Sequence, residues 1–243
     1  MTTQFYKMKK VFLVILCFVF ISANSQTADE IIQKYANAMG GLNAINAIKT
    51  AKMTGTFTIQ GSDLPITTQI INGKAVRSDV ELMGQTITSC YKDGKGWKIN
   101  PFAGIATATD VTGVELMDFK NQSMLANQLM DYKARGHKVE LLGQEDVDGV
   151  KTNKIKLTNK EDGKVTTYYI NTADNMLIKY ATTREMQGQE VQIENYFSDI
   201  KDLNGLRFSM TRTQKVNGEV TQIIKMTSVE WNVPIDEKIF DKN

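Results

Sequence analysis

Hydrophobic and polar residues alternate with a period of two along most of this chain. In residues 52–59, KMTGTFTI, the polar face consists of one lysine and three threonines, and the other face is mostly apolar. The same alternation returns in residues 76–82, 154–157 and 206–211. One apolar and one polar face are typical of antiparallel strands that are buried on one side. The pattern therefore predicts a mainly β protein in which one face of an antiparallel sheet is covered.

Turn sequences separate these alternating segments. Asn-Gly or Asp-Gly pairs lie at residues 72–73, 93–94, 148–149, 162–163, 204–205 and 217–218. They favour hairpin turns because both residue types tolerate positive φ. Their spacing predicts about ten or eleven strands in up-and-down order, about five before Pro101 and about six after His137.

Two segments have helical spacing instead. Thr27 and Glu30 form a capping box before apolar residues that recur on one side of a helix, and Gly40-Gly41 ends that helix. A helical insert follows at about residues 112–133, where Asn121 or Ser123 is placed to cap a second piece. We therefore predict a strongly curved antiparallel incomplete β-barrel of about eleven strands, covered by the N-terminal helix and the insert.

The first 25 residues have the order of an export signal. Three lysines precede an apolar run over residues 11–21, and small residues precede the predicted cut before Gln26. The run is about half of the ~20 apolar residues that a spanning helix needs, and a retained membrane anchor is the alternative. We predict removal of residues 1–25, a periplasmic location, and one domain over residues 26–243.

Removing that segment changes the charge and cysteine arguments. The chain has 29 basic and 27 acidic side chains, and loss of the three lysines leaves a net charge near −1. This balance does not favour nucleic acid as a partner, and we interpret Lys151, Lys154 and Lys156 as a solvated strand face. Cys17 follows Ile15 and Leu16 instead of two small residues, which argues against lipidation there.

Candidate catalytic chemistry is sparse. Cys90 alternates with outward-facing Thr86 and Thr88, which indicates an ordinary strand residue, and His137 is the one histidine available as its base. The chain has no G-x-S-x-G or H-E-x-x-H motif and no glycine-rich phosphate loop. We predict no catalytic, metal-binding or cofactor-binding residues, and a hydrolase is the less favoured alternative.

Four segments carry a resemblance to a known family. The chain resembles the outer-membrane lipoprotein-sorting proteins of the LolA/LolB-like superfamily, in the variant common in Bacteroidetes-type bacteria. The resemblance implies a periplasmic domain with helices over an incomplete barrel, whose apolar cavity receives lipoprotein acyl chains. We expect a monomer that meets membrane-protein partners transiently. Neither Arg77 nor Arg212, both on predicted strands, can be matched to the lid-controlling arginine of that family. The segments are ADEIIQKYANAMGGLNAINAIKTAKMTGTF, HKVELLGQEDVDGVKTNKIKLTNKEDGKVTTYYINTADNMLIKY, ENYFSDIKDLNGLRFSMT and VEWNVPIDEKIFDK.

A curved sheet that its helices do not fill leaves space for an apolar ligand. We therefore expect a carrier or binding protein for an acyl chain or another hydrophobic ligand. The same side chains could instead fill a core, and a periplasmic sensor or partner-binding module without a transported ligand is the alternative function. The predicted lining residues are Phe57, Ile59, Leu116, Phe119, Met124, Leu125 and Leu129.

Overall fold

The computed structural model describes residues 26–186 and 188–242. The predicted export signal, residues 1–25, lies outside the described residues. Within the described part the helices are α1 (Ala28–Ala38), α2 (Leu42–Ala47), α3 (Gly113–Gln122) and α4 (Tyr132–Arg135). The strands are β1 (Thr50–Ile59), β2 (Ser62–Ile71), β3 (Ala75–Leu82), β4 (Gln85–Lys92), β5 (Lys95–Asn100), β6 (Ile105–Val111), β7 (Lys138–Val147), β8 (Val150–Thr158), β9 (Val165–Asn171), β10 (Leu177–Met186), β11 (Gln189–Asp202), β12 (Arg207–Val216) and β13 (Glu219–Trp231).

Over the described residues, all thirteen strands form one antiparallel sheet in the order β6-β5-β4-β3-β2-β1-β13-β12-β11-β10-β9-β8-β7. The predicted mainly β, incompletely closed architecture is confirmed, because β6 and β7 are edges and do not pair with each other. The strand number exceeds the expected eleven. One additional strand is β6, which follows the 3-10 turn Pro101–Ala103 that Gly104 ends at φ 76°. The sequence pattern placed the last strand of the first half before Pro101 and so did not predict β6.

Helix α1 covers one half of the sheet's inner face. Its capping box is formed, since the Glu30 amide donates to Thr27 Oγ1 at 3.2 Å and the Thr27 amide donates to Glu30 Oε2 at 3.1 Å. The apolar side of the helix packs on strands β8 to β10. Burial of each large apolar side chain stabilises this contact by roughly 1.5–3 kcal/mol. The buried partners are Ile31, Ile32, Tyr35 and Ala36 on the helix, and Ile155, Leu157, Tyr168, Ile170 and Leu177 on the sheet.

The insert between β6 and β7 crosses the inner face from one edge of the sheet to the other. Helix α3 lies over β3, β4 and β5. The helix packs over Gly96 on β5, where a Cβ would lie 2.6 Å from a Val111 methyl and 2.8 Å from a Leu116 methyl. Glycine at this position therefore allows the side chains of Val111 and Leu116 to pack closely on β5.

After α3 the insert departs from the predicted helix pair. Ser123 Oγ donates to the Lys120 carbonyl at 2.7 Å, so Ser123 closes α3 and does not open a second helix. The chain from Met124 to Asp131 is held by Asn127, whose side-chain oxygen accepts the Leu129 and Met130 amides at 3.1 and 3.0 Å. Two long-range hydrogen bonds fix the same segment, since the Leu125 amide donates to Asn72 Oδ1 at 3.1 Å and Asn127 Nδ2 donates to the Tyr35 hydroxyl at 2.7 Å. The short α4 then leads into β7.

The outer face of the first half is covered by the C-terminal segment. Phe240 is 1% exposed and packs with Ala75, Cys90 and Trp97. Its carbonyl accepts the Trp97 indole N–H at 3.1 Å and the Cys90 thiol at 3.4 Å. Thr88 and Cys90 are thus buried, which corrects the expectation of an outward face open to solvent there.

None of the helices in the described part has the length and apolarity that a membrane-crossing helix requires.

Candidate functional site

The inner face carries a patch of apolar side chains outside the clusters that the helices cover. We call this patch the trough. Alternation along the strands, together with Met53 and Val76 in the helix-covered cluster, places its side chains on the inner face. The trough is formed by Phe57 on β1, Leu64 and Ile66 on β2, Val80 on β3, Ile87 on β4 and Ile224 on β13.

Register aligns these side chains into two rows across the strands. In the first row Leu64 lies opposite Phe57, which lies opposite Ile224. In the second row Ile66 lies opposite Val80, which lies opposite Ile87. Leu64 and Ile66 are buried, whereas the other four are half-buried, so the trough has an apolar floor that solvent still reaches.

Gly55 sets the backbone geometry at the centre of the sheet. The β1–β13 register shifts between Thr54 and Gly55, so Thr227 is the additional residue of a β-bulge. A Cβ on Gly55 would collide with the Lys225 carbonyl and lie 2.8 Å from the Met226 Cα. The absence of a side chain therefore allows β1 and β13 to approach at the point where the trough begins.

A charged pair connects α3 to the opposite half of the sheet. Arg184 on β10 donates to both carboxylate oxygens of Asp118 on α3, at 2.6 and 2.8 Å. On the near side, Lys98 on β5 donates to both oxygens of Glu115, each at 2.8 Å. Helix α3 is therefore held by a bidentate contact toward each half of the inner face.

Aromatic side chains line the inner face beneath the Arg184 pair. The Tyr180 ring lies 5.8 Å from the Tyr168 ring and 5.7 Å from the Phe197 ring. Burial raises the pKa of Tyr180, although the positive charges of Arg212 and Arg184 oppose that rise. Burial likewise raises the pKa of Tyr168. Both phenols therefore remain neutral at physiological pH.

The predicted lining residues fall into three environments. Phe57 lies in the trough, and Ile59 follows two residues later on the same face, at the end of β1. Both side chains are half-buried. Phe57 and Ile59 are thus the two predicted lining residues that lie together on the open part of the inner face.

The helix-borne positions lie in or against packed regions. Phe119 is buried in the α3 cluster, with Leu116 against it, and Leu125 packs between that cluster and the α1 cluster. Leu129 is completely buried beneath α1. Met124 lines a recess of about 120 Å³ with Lys120, His137 and Glu161 among its neighbours. Ligand contact by all seven residues stays a prediction.

The two candidates for nucleophilic chemistry, Cys90 and His137, lie in different parts of the structure. Burial raises the pKa of the Cys90 thiol to about 12, beneath the C-terminal segment. His137 lies on the insert side, where its Nδ1 accepts the Lys160 amide at 3.2 Å. Among the residues that the structure describes, no three His, Cys, Asp or Glu side chains are arranged to hold a metal ion.

The sequence pattern missed Asp118, Arg184 and the trough positions Leu64 and Ile224, because their alignment depends on register between distant strands.

The fold is similar to several solved structures. A LolA superfamily protein from Nitrosomonas europaea matches with a TM-score of 0.60 and 12% identity, over 90% of this chain and 99% of that chain. A domain assigned to the outer membrane lipoprotein-sorting proteins, from Vibrio parahaemolyticus, matches with a TM-score of 0.59 and 9% identity, over 89% and 96%. A DUF1329 family protein from Desulfovibrio piger matches with a TM-score of 0.60 and 12% identity, over 89% and 98%. No protein-family model and no curated protein sequence matches this chain.

These similarities confirm the LolA-like fold that the resemblance implied. Identities of 9–12% establish the fold alone and leave the ligand open. The assignment to a Bacteroidetes-type variant stays a prediction.

Proposed function

We propose that this protein is an exported periplasmic carrier that holds an acyl chain or another hydrophobic ligand in the trough. Its specific role in this proposal is the sorting of lipoproteins to the outer membrane. Removal of residues 1–25 and a single domain over residues 26–243 belong to the same proposal. The observation that supports it most is the row of half-buried apolar side chains on the inner face, beside a helix attached to both halves of the sheet.

Burial of hydrocarbon supplies enough free energy for such a function without any bond chemistry. Each methylene contributes about 0.8 kcal/mol, so a 16-carbon chain offers on the order of 10 kcal/mol to a fully apolar site. The trough is open on one side, so the gain depends on coverage of the ligand by α3 and its neighbours. Holding the ligand, and releasing it when α3 moves, is then the whole activity.

The first test is native mass spectrometry of the protein purified from periplasm without detergent, followed by lipid extraction. A stoichiometric phospholipid, fatty acid or acylated peptide is the expected result, and its identity would define the ligand class. A clean apo mass together with failure to take up added lipid would contradict the carrier function. That outcome would favour the partner-binding module, for which edge strands β6 and β7 offer unpaired backbone.

A matched pair of variants locates the site. Phe57→Glu places a charge in the trough and should abolish uptake of a fluorescent fatty acid while the strand signal in circular dichroism persists. Thr56→Glu, one residue earlier on the outer face opposite Lys225, should leave uptake unchanged. Equal uptake by Phe57→Glu and the parent would show that the ligand does not lie in the trough.

A further inference from the structure

The trough ends at an arginine on the inner face. Arg212 on β12 lies opposite Ile224, which lies opposite Phe57. On its other side Arg212 lies opposite Phe197, which packs against the α1 cluster. The side chain is half-buried among apolar neighbours. An arginine thus interrupts a row that is otherwise apolar from Leu64 to Phe197.

Arg212 differs from the other inner-face arginine in its partners. Arg184 is occupied by both oxygens of Asp118. Within residues 26–186 and 188–242, no carboxylate lies within ion-pair distance of Arg212, and no side chain or carbonyl accepts a hydrogen bond from its guanidinium. No nitrogen of Arg212 is among the fully buried unpartnered atoms of the described residues, so its guanidinium keeps contact with solvent and its donors are available to an anion.

The surroundings of Arg212 are suited to an anionic head group. Arg212 lies opposite Phe197, whose ring is 5.7 Å from that of Tyr180, and Arg184 lies on the same strand and face as Tyr180. Both positive charges accordingly act on the Tyr180 hydroxyl, where they oppose the rise of its pKa. The Nε of Arg184 is itself buried and has no hydrogen-bond partner among the described residues. Two guanidinium groups therefore have donors left over where the apolar row ends.

We propose that Arg212 binds the carboxylate or phosphate head of an anionic amphiphile whose hydrocarbon chain lies along Ile224, Phe57 and Leu64. This inference rests on the proposed carrier function and narrows its ligand class. Arg212 and Leu64 are separated by three strand spacings, or about 14 Å, which suits an acyl chain lying across the strands. The guanidinium fixes one end of the ligand, and the apolar row fixes the direction of its tail.

The test compares two probes that share a tail and differ in charge. Binding of cis-parinaric acid and of the corresponding neutral alcohol is measured by fluorescence, with the parent protein, Arg212→Gln and Arg207→Gln. Arg207 lies on the same strand with its side chain on the outer face. The parent should bind the acid about tenfold more tightly than the alcohol, and Arg212→Gln should lose this preference while retaining its affinity for the alcohol. Arg207→Gln should behave like the parent.

Each other outcome has a definite meaning. Equal affinity of the parent for acid and alcohol, with no effect of Arg212→Gln, overturns the head-group inference and leaves the carrier function standing. Binding of neither probe overturns both. Displacement of the acid by inorganic phosphate at similar concentration would show a site for a free anion and would overturn the amphiphile. Loss of alcohol binding in Arg212→Gln would show that Arg212 supports the trough structurally, which also contradicts the inference.

Discussion

Arg184 donates to both carboxylate oxygens of Asp118, at 2.6 and 2.8 Å, and so joins β10 to α3 across the inner face. The two side chains are about one-third exposed, at 34% and 31%. A pair in that setting contributes little to global stability but fixes the helix in one place, because both hydrogen bonds share one geometry. The position of α3 therefore depends on a contact that a single substitution removes.

Arg184→Gln should release α3 from the far half of the sheet. We expect faster amide hydrogen exchange in residues 113–122 and a loss of at most about 1 kcal/mol in the free energy of unfolding. Lys120→Gln is the matched control, since Lys120 lies on the same helix in a longer, more exposed pair with Glu161 at 3.3 Å. Unchanged exchange in Arg184→Gln would show that packing and the Lys98–Glu115 pair are sufficient to hold α3.

Gly55→Ala should destabilise the centre of the sheet by about 1–3 kcal/mol, measured by chemical denaturation. The added methyl meets the backbone of Lys225 and Met226, which cannot move without breaking the β1–β13 ladder. Gly96→Ala should cost less global stability, because there the methyl meets side chains that can shift. An equal or larger loss at Gly96 would contradict this distinction.

His137 should make the protein less stable as pH falls from about 7 to 5. Burial and the charge of Arg135 lower the pKa of His137, against the opposing charges of Glu161, Asp131 and Asp162. The unfolded state therefore binds the proton more readily, so stability is complete above the ordinary value of 6.5 and declines as pH falls below it. The pKa of Asp29 is lowered from its ordinary value of 3.8, so the stability that its carboxylate contributes is lost only at more acid pH.

The measurement for this prediction is the melting temperature between pH 5 and 7.5. His137→Gln should flatten the profile, because glutamine does not titrate. A parent profile that coincides with the variant profile would show that another group controls the decline.

Cys90 should resist thiol reagents in the folded protein. Its pKa of about 12 and its complete burial leave almost no accessible thiolate. Phe240→Ala should expose it and cost about 3–5 kcal/mol, because the removed ring is 1% exposed. Lys238→Ala, at an exposed position of the 3-10 turn Glu237–Phe240, should leave Cys90 protected. Rapid labelling of Cys90 in the parent protein would show that the C-terminal segment does not shield this part of the outer face.

The features that the sequence predicted correctly are local. The Thr27–Glu30 capping box spans one turn of helix, and the alternation in residues 52–59 requires only neighbours along the strand. Arg77 and Arg212 likewise lie on strands, as predicted. Periodicity detects such features because they depend on side chains a few positions apart.

The features that were missed depend on distant parts of the chain. Cys90 is covered by Phe240, 150 residues later, and Asp118 meets Arg184, 66 residues later. At the end of α3, the Ser123 carbonyl accepts a hydrogen bond from the Gly73 amide at 2.8 Å. Residue patterns within a window of helix or strand length carry no information about such contacts. The same limit applies to the trough, whose rows follow from strand register.

The first strand pairs with the last at the centre of the sheet, where Ala51 lies opposite Trp231, 180 positions later. Hairpins on either side can form early, but the ladder that unites them must close the longest loop in the protein. We expect this step to limit the rate of folding. A chain delivered across a membrane with its N-terminus first could pair β1 with β2 early, but the other edge of β1 would stay unpaired until β13 arrived. The two halves of the sheet would therefore join only when nearly the whole chain had crossed.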